Sequence, residues 1–286
     1  MKIWITGISG QVGRALQDVL ERHGIDHFGT THAEVDIADS EQVRPYIDRA
    51  THIINAAALA QVDVAETERD RAFRANALGP ENLAKQAQGK ARLIHISTDY
   101  VFDGRLRRPY REEDETNPLN WYGQTKLEGE LRILTHMPDA CIIRPSWVFG
   151  GEGRNYASLM LDLMRQRTEL RIVNDQIGRP TYAFDLAEAL IAMRDESGIY
   201  HYANHGSLSK YAFARAIWES AKQKGIPMAC ERILPIHASA YPTPAVRPLY
   251  TPFDTSKIEQ KLTIRPWREA LAEYFEEKRV QKPVAI

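Results

Sequence analysis

Tyr122 and Lys126 stand four positions apart in "NWYGQTKLEGE" (120–130), a stretch whose pattern predicts a helix. Such a helix carries both on one face, one turn apart. An unperturbed phenol titrates near ~10, too high for ready proton exchange at neutral pH. A neighbouring ammonium favours phenolate, so the pair is suited to moving a proton at a carbonyl or alcohol oxygen. The same spacing also occurs as a solvated edge of any amphipathic helix. The rest of the chain decides between the two. Ser97 and Thr98, in "STDYVFDG" (97–104), close a predicted strand, where a hydroxyl can donate to a substrate carbonyl; Asp99 and Tyr100 follow as expected substrate contacts.

A second group of residues reads as a nucleotide cradle. "GISGQVG" (7–13) sets Gly7, Gly10 and Gly13 between a predicted strand and a predicted helix, with Gln11 and Val12 at the helix start. Glycines there allow a tight turn and close approach of a pyrophosphate to backbone N–H groups and the positive end of the helix. At the end of the second strand, an acid would select a ribose 2′-hydroxyl. "GTTHAEVD" (29–36) offers Thr30, Thr31 and His32 instead, with Glu34 and Asp36 later. The expected cofactor is therefore NADPH, with NADH also accepted. Its neighbours are predicted to be Thr30, His32, Asp36 and Ile37, together with the small residues Ala56, Ala57 and Ala58 after the third strand. Lys126 would reach the nicotinamide ribose as well as the phenol.

The elements that must position these groups alternate. Strands are expected at 2–6, 25–30, 52–58, 91–98 and 140–146, and helices at 10–24, 40–50, 69–88 and 123–136. Apolar strands separated by helices predict right-handed βαβ units and a parallel sheet covered on both faces. The fold class is α/β, a Rossmann-type doubly wound sheet over 1–146, with later segments returning to it. A smaller, discontinuous substrate lobe is drawn mainly from 147–286. The 286 residues are 43% hydrophobic and 26% charged, and 37 basic residues nearly balance 38 acidic ones. That leaves no electrostatic footprint for nucleic acid or an anionic membrane. No apolar run approaches a membrane span, the start shows no signal-peptide pattern, and Cys141 and Cys230 lack metal-ligand spacing. A cytoplasmic protein with reduced thiols is expected.

Six segments in order give a more specific resemblance: "STDYVFDG", "NWYGQTKLEGE", "RPSWVFGGEGRNY" (144–156), "VNDQIGRPT" (173–181), "GIYHYA" (198–203) and "SAYPTPAVRP" (239–248). The series resembles dTDP-4-dehydrorhamnose reductases over nearly the whole chain. The resemblance implies reduction of the 4-keto group of dTDP-6-deoxy-L-lyxo-4-hexulose by NAD(P)H. It places the family's catalytic Thr, Tyr and Lys at Thr98, Tyr122 and Lys126, and its pocket tryptophan at Trp147. Asn155 is a further expected substrate contact. Some bacterial members carry a Mg²⁺-binding glutamate at a dimer contact where this chain has Ala15, so no metal and a monomer or weak homodimer are expected. Arg247, closing a loop stiffened by prolines, is the cation expected to grip the sugar nucleotide's diphosphate. His201 is expected to pack rather than catalyse, and Asp175 and Gln176 fit a turn as well as a site. Two rivals share the fold: a nucleotide-sugar epimerase that keeps NAD bound, and a non-catalytic subunit resembling the regulatory subunit of methionine adenosyltransferase.

Overall fold

The computed structural model describes residues 1–277. Five short strands, β1 (Ile3–Thr6), β2 (His27–Thr30), β3 (His52–Asn55), β4 (Arg92–Ile96) and β5 (Cys141–Pro145), join an edge strand, Gly198–Tyr202, in one sheet. Its order is β2-β1-β3-β4-β5 and then the edge strand, and every pairing is parallel. The strand order reverses between β1 and β3, and their carboxyl ends open the crevice in which such sheets take ligands.

Both faces are covered, which is why the central strands read as continuous apolar runs. Helix α1 (Gln11–Arg22) and the helix Ala183–Ala192 bury Leu16, Val19, Leu186 and Leu190 against Ile5, Ile54, Ile94 and Ile143. On the opposite face Val43, Ile47, Leu83 and Ile133 meet Trp4, Ile53, Leu93 and Ile142. A separate apolar cluster lies under the carboxyl edge, where Phe149, Leu161, Phe213, Ile217, Trp267 and Leu271 pack together. It is built from the helices Tyr156–Gln166, Lys210–Gln223 and Trp267–Glu276 with short strand pairs such as Glu169–Val173 against Arg232–Ile236.

Two expected elements differ. The third strand stops at Asn55, so Ala56–Ala58 are loop rather than strand. The long helix expected at 69–88 is broken into Arg69–Phe73, a π-helical turn Arg74–Leu78, and Gly79–Ala87. Pro80 has no N–H to give the carbonyl of Asn76, so the regular ladder cannot continue. The Asn76 side chain instead clamps the Leu59 backbone, accepting from its N–H at 2.9 Å and donating to its carbonyl at 3.2 Å, and donates to Thr125 Oγ1 at 3.1 Å.

The helix Trp121–His136, capped by Asn120, is tied to the sheet by an ion pair in the interior. Arg144 on β5 forks onto Glu130, Nε to Oε1 at 2.9 Å and Nη2 to Oε2 at 2.6 Å, and Ser97 donates to the same carboxylate. Removing one member leaves a buried charge without its counter-charge. Arg144→Ala should therefore cost about 3–5 kcal/mol of stability in urea unfolding, while converting both residues to Met should recover much of the loss. An unchanged unfolding midpoint for Arg144→Ala would show that the pair does not hold the helix.

Candidate active site

The carboxyl ends of β1, β3, β4 and β5 line one cleft of ≈ 590 Å³. β1 leads into a turn in which Gly7 has φ of +68°, a conformation that disfavours any other residue. A Cβ on Gly7 would sit 2.7 Å from the Cα of Ala57, and one on Gly13 would sit 2.7 Å from the Cα of Ile8. The turn is therefore pressed against the loop after β3, and α1 against the turn. Helix α1 starts at Gly10 without a side-chain cap, leaving its first N–H groups, at Gln11 and Val12, open to the cleft. Such a cradle fits a dinucleotide pyrophosphate.

Ala56 and Ala58 line the cleft, whereas Ala57 packs beneath Gly7 with its N–H 3.2 Å from Asn55 Oδ1. The residues expected around the adenosine ribose lie at the end of β2 and after it. Thr30 turns its hydroxyl into the core, where it accepts from Trp4 Nε1 at 3.0 Å. Asp36 caps Ala38 and pairs with Arg74 at 2.9 Å, His32 is exposed, and Ile37 is buried. Glu34, four residues beyond β2, folds back toward the strand. Its carboxylate accepts from Thr31 N and Thr31 Oγ1 at 2.8 Å each. An acid thus stands beside the strand end although no acid occupies it in sequence.

Thr98, Tyr122 and Lys126 meet on the facing wall. Burial pushes the Tyr122 phenol up to about 12, opposed by a hydrogen bond with the Thr98 hydroxyl and reinforced by the carboxylate of Asp99. Burial also acts on the lysine. Its ammonium is pulled down to about 8, with Glu130 opposing the shift. Lys126 Nζ donates to the carbonyl of Ile96 at 2.6 Å and lies 3.2 Å from His95 Nε2. The phenol therefore stays protonated at neutral pH, the form needed by a proton donor.

The substrate side of the cleft contains Asp99, Tyr100, Trp147 and Asn155. Burial raises Asp99 to about 6, offset by a hydrogen bond from Thr251 Oγ1 at 2.7 Å and by the charge of Lys210. Tyr100 meets Tyr122 edge-on, ring centroids 5.9 Å apart. The Asn155 side chain is engaged as a helix cap, accepting from Ala157 N at 3.0 Å and Ser158 N at 3.2 Å. Arg247 stands behind the cleft wall, where its charge acts on Tyr100 and Lys210. It forks onto Asp63, with Nη2 to Oδ2 at 2.7 Å and Nη1 to Oδ1 at 3.1 Å, and so clamps the proline-rich loop to the helix Val62–Thr67. His201 is buried in the edge strand, its ring 4.1 Å from that of Phe253. Asp175 and Gln176 serve the loop: Asp175 accepts from Ala238 N at 2.8 Å, and the Gln176 carbonyl accepts from Lys210 N.

Sequence reasoning missed Lys210. Its ammonium stands 3.5 Å from the centroid of Trp147 and 4.5 Å from that of Tyr156, on the cleft wall. Burial draws its pKa down to about 7, against the pull of Asp99. The only signal in sequence was a lysine opening an amphipathic helix, which describes many surface lysines.

A family profile described as the RmlD substrate binding domain matches residues 1–280. The chain belongs to the dTDP-4-dehydrorhamnose reductase family. It is 43% identical over 279 residues to a dTDP-4-dehydrorhamnose reductase of Mycolicibacterium smegmatis, covering 94% of this chain and 84% of that one. The spore coat polysaccharide biosynthesis protein SpsK of Bacillus subtilis is 40% identical, covering 97% and 98%. Among solved structures, the dTDP-4-dehydrorhamnose reductase of Bacillus anthracis in complex with NADP superposes with a TM-score of 0.91 at 34% identity, covering 97% of this chain and 99% of that one. A UDP-glucose 4-epimerase of Thermus thermophilus shares the fold, with a TM-score of 0.80 at 18% identity over 97% of this chain and 100% of that one.

The glycine turn gives the site's own prediction. A methyl group at Gly13 meets backbone rather than a flexible side chain, so the turn must open to admit it. Gly13→Ala should weaken dinucleotide binding by tenfold or more, about 1.4 kcal/mol, in isothermal titration. Retained affinity would show that the turn does not form the cradle.

Proposed function

We propose that this chain reduces the 4-keto group of a dTDP-4-dehydro-6-deoxy sugar, converting dTDP-4-dehydrorhamnose to dTDP-L-rhamnose, with NADPH as cofactor and NADH also accepted. The observation that carries the reading is the convergence of Thr98, Tyr122 and Lys126 on one cleft with the uncapped start of α1. The nicotinamide of the bound cofactor supplies the hydride. Gln11 and Val12 offer backbone N–H groups to the pyrophosphate. Tyr122, kept protonated by burial, gives its proton to the ketone oxygen as the alcohol forms. Thr98 orients that oxygen and holds the phenol by a hydrogen bond. The indole of Trp147, with the Lys210 ammonium over its ring, offers the sugar an aromatic edge beside a cation.

The same reading takes the chain as a cytoplasmic monomer or weak homodimer that binds neither nucleic acid nor membrane. In support, Cys141 and Cys230 are buried free thiols, and Ala15 is buried in the sheet core. No helix among the described residues is long and apolar enough to cross a membrane.

Tyr122→Phe should lower kcat by about two to four orders of magnitude while leaving NADPH affinity nearly intact, the usual range for a positioned acid. Near-normal turnover of dTDP-4-dehydrorhamnose by that variant would remove the mechanism. A second measurement separates the two candidate cations for the diphosphate. Arg247 is already engaged by Asp63, whereas Lys210 faces the cleft. Lys210→Met should raise KM for the sugar nucleotide by about tenfold, the loss of one charged hydrogen bond. Arg247→Ala should act mainly on the melting temperature. The reverse pattern would return the diphosphate to Arg247.

A further inference from the structure

Three side chains at one level of the sheet form a hydrogen-bonded row that ends on Lys126. Thr6 on β1, Asn55 on β3 and His95 on β4 are register partners across neighbouring parallel strands. All three are buried. Thr6 Oγ1 donates to Asn55 Oδ1 at 2.7 Å, Asn55 Nδ2 lies 2.9 Å from His95 Nδ1, and His95 Nε2 lies 3.2 Å from Lys126 Nζ.

The donors and acceptors along the row are fixed from its far end. The Ala57 backbone N–H, which can only donate, points at Asn55 Oδ1 from 3.2 Å. The amide oxygen must therefore face Thr6 and Ala57, and the amide NH₂ must face His95. A nitrogen that receives this NH₂ carries no proton, so His95 Nδ1 is an acceptor. Burial holds His95 far below its usual pKa, so the ring is neutral and its single proton is on Nε2. That N–H points at Lys126. An ammonium has three donors and no lone pair, whereas the amine can accept. The other partner of Nζ, the Ile96 carbonyl, is an acceptor and is satisfied by either form.

We infer that Thr6, Asn55 and His95 act as positioning residues that tune the charge of Lys126, fixing His95 as the Nε2–H tautomer and so lowering the proton affinity of the lysine in the unliganded protein. The inference rests on the reading that Lys126 works in the reduction, but its physical content concerns the free chain. Other charged groups around Lys126 are accounted for. Glu130, one turn along the same helix, is paired with Arg144 and bound by Ser97, and its remaining charge favours the ammonium against burial. Tyr122, one turn back, is a neutral phenol, and Asp99 faces that phenol and Lys210. Lys210 adds positive charge on the far wall. From the sheet, the lysine nitrogen meets the Ile96 carbonyl, which accepts from either form, and the His95 ring. A lysine with a free lone pair can take up a proton from the cleft, which the cation cannot.

The test uses the full chain without substrate or cofactor, so it stands apart from whether the proposed reaction is right. Nitrogen NMR of histidine-labelled protein distinguishes the two imidazole tautomers, and His95→Gln identifies the resonance among the nine histidines. The expected result is a neutral His95 protonated on Nε2 between about pH 6 and 8, the window in which unperturbed imidazole titrates. An Nδ1–H ring or an imidazolium in that window would overturn the inference. Asn55→Asp supplies the second arm, because a carboxylate accepts from Thr6, Ala57 and His95 alike and so forces the proton onto Nδ1. The Lys126 titration, read from its labelled Cε, should then move up by a unit or more, a tenfold gain in proton affinity. An unchanged midpoint also overturns it. If Asn55→Asp does not fold, the wild-type tautomer decides alone.

Discussion

The helix Trp121–His136 must carry an amine and a carboxylate, Lys126 and Glu130, into the interior one turn apart. Burying either alone would be costly, since desolvation of an ion exceeds the gain from ordinary packing. The fold resolves this by giving the two groups different partners. Glu130 receives a forked guanidinium from β5 and a hydroxyl from the end of β4. Lys126 receives only a backbone carbonyl and an imidazole edge, and its pKa falls. The structural charge is thus fully paired and the reactive one is left underpaired. That asymmetry gives the cleft a titratable group close to neutral pH.

Position depends on how closely this helix approaches its neighbours. A Cβ on Gly123 would fall 3.0 Å from Pro118 Cβ and closer still to the Tyr100 carbonyl, and one on Gly129 would strike the Asn76 carbonyl. Two glycines in one helix lower its intrinsic propensity. Here they let the helix lie directly on the Thr98–Tyr100 segment at one end and on the π-helical turn at the other. The π-helical turn is itself a consequence of Pro80, and it frees Asn76 to hold Leu59 and Thr125 together. Tyr122 is therefore aimed by backbone contacts above and below it rather than by its own helix alone.

Local patterns carried much of this into the sequence. The glycine turn, the strand–helix alternation and the Tyr–Lys spacing are each set by residues within a few positions of one another. Contacts between distant residues were not legible. Nothing in "RLIHIS" separates a histidine packed in a strand from one that edges onto a lysine 31 positions later. The pairing of Arg247 was hidden because its partner, Asp63, lies 184 residues away. Glu34 was discounted because it follows the strand end by four residues, yet a turn brings its carboxylate back to Thr31. The break in the helix after Phe73 had a local signal in Gly79–Pro80, a pair that starts helices, but the apolar pattern running across it favoured one long helix.

The substrate wall is shaped by strain as well as by pairing. Trp147 has φ of 48°, and it is the one non-glycine among the described residues with a positive φ. Such a conformation costs on the order of 1–3 kcal/mol and persists only where the surroundings leave no alternative. On its amino side Ser146 is fixed by its hydroxyl to the Arg179 carbonyl at 2.6 Å; on its carboxyl side Val148 pairs with Thr181. The indole lies against Gly178, where a Cβ would stand 2.7 Å from Cζ2, and the Lys210 ammonium covers its ring. With both flanks pinned to the segment 177–182, relaxing φ would have to drag the short strand with it. The strain therefore stays in place, and the indole stays turned into the cleft opposite Tyr122. Its cation partner, Lys210, is held there by the same aromatic face and by Asp99, so the position of the charge follows from the position of the ring.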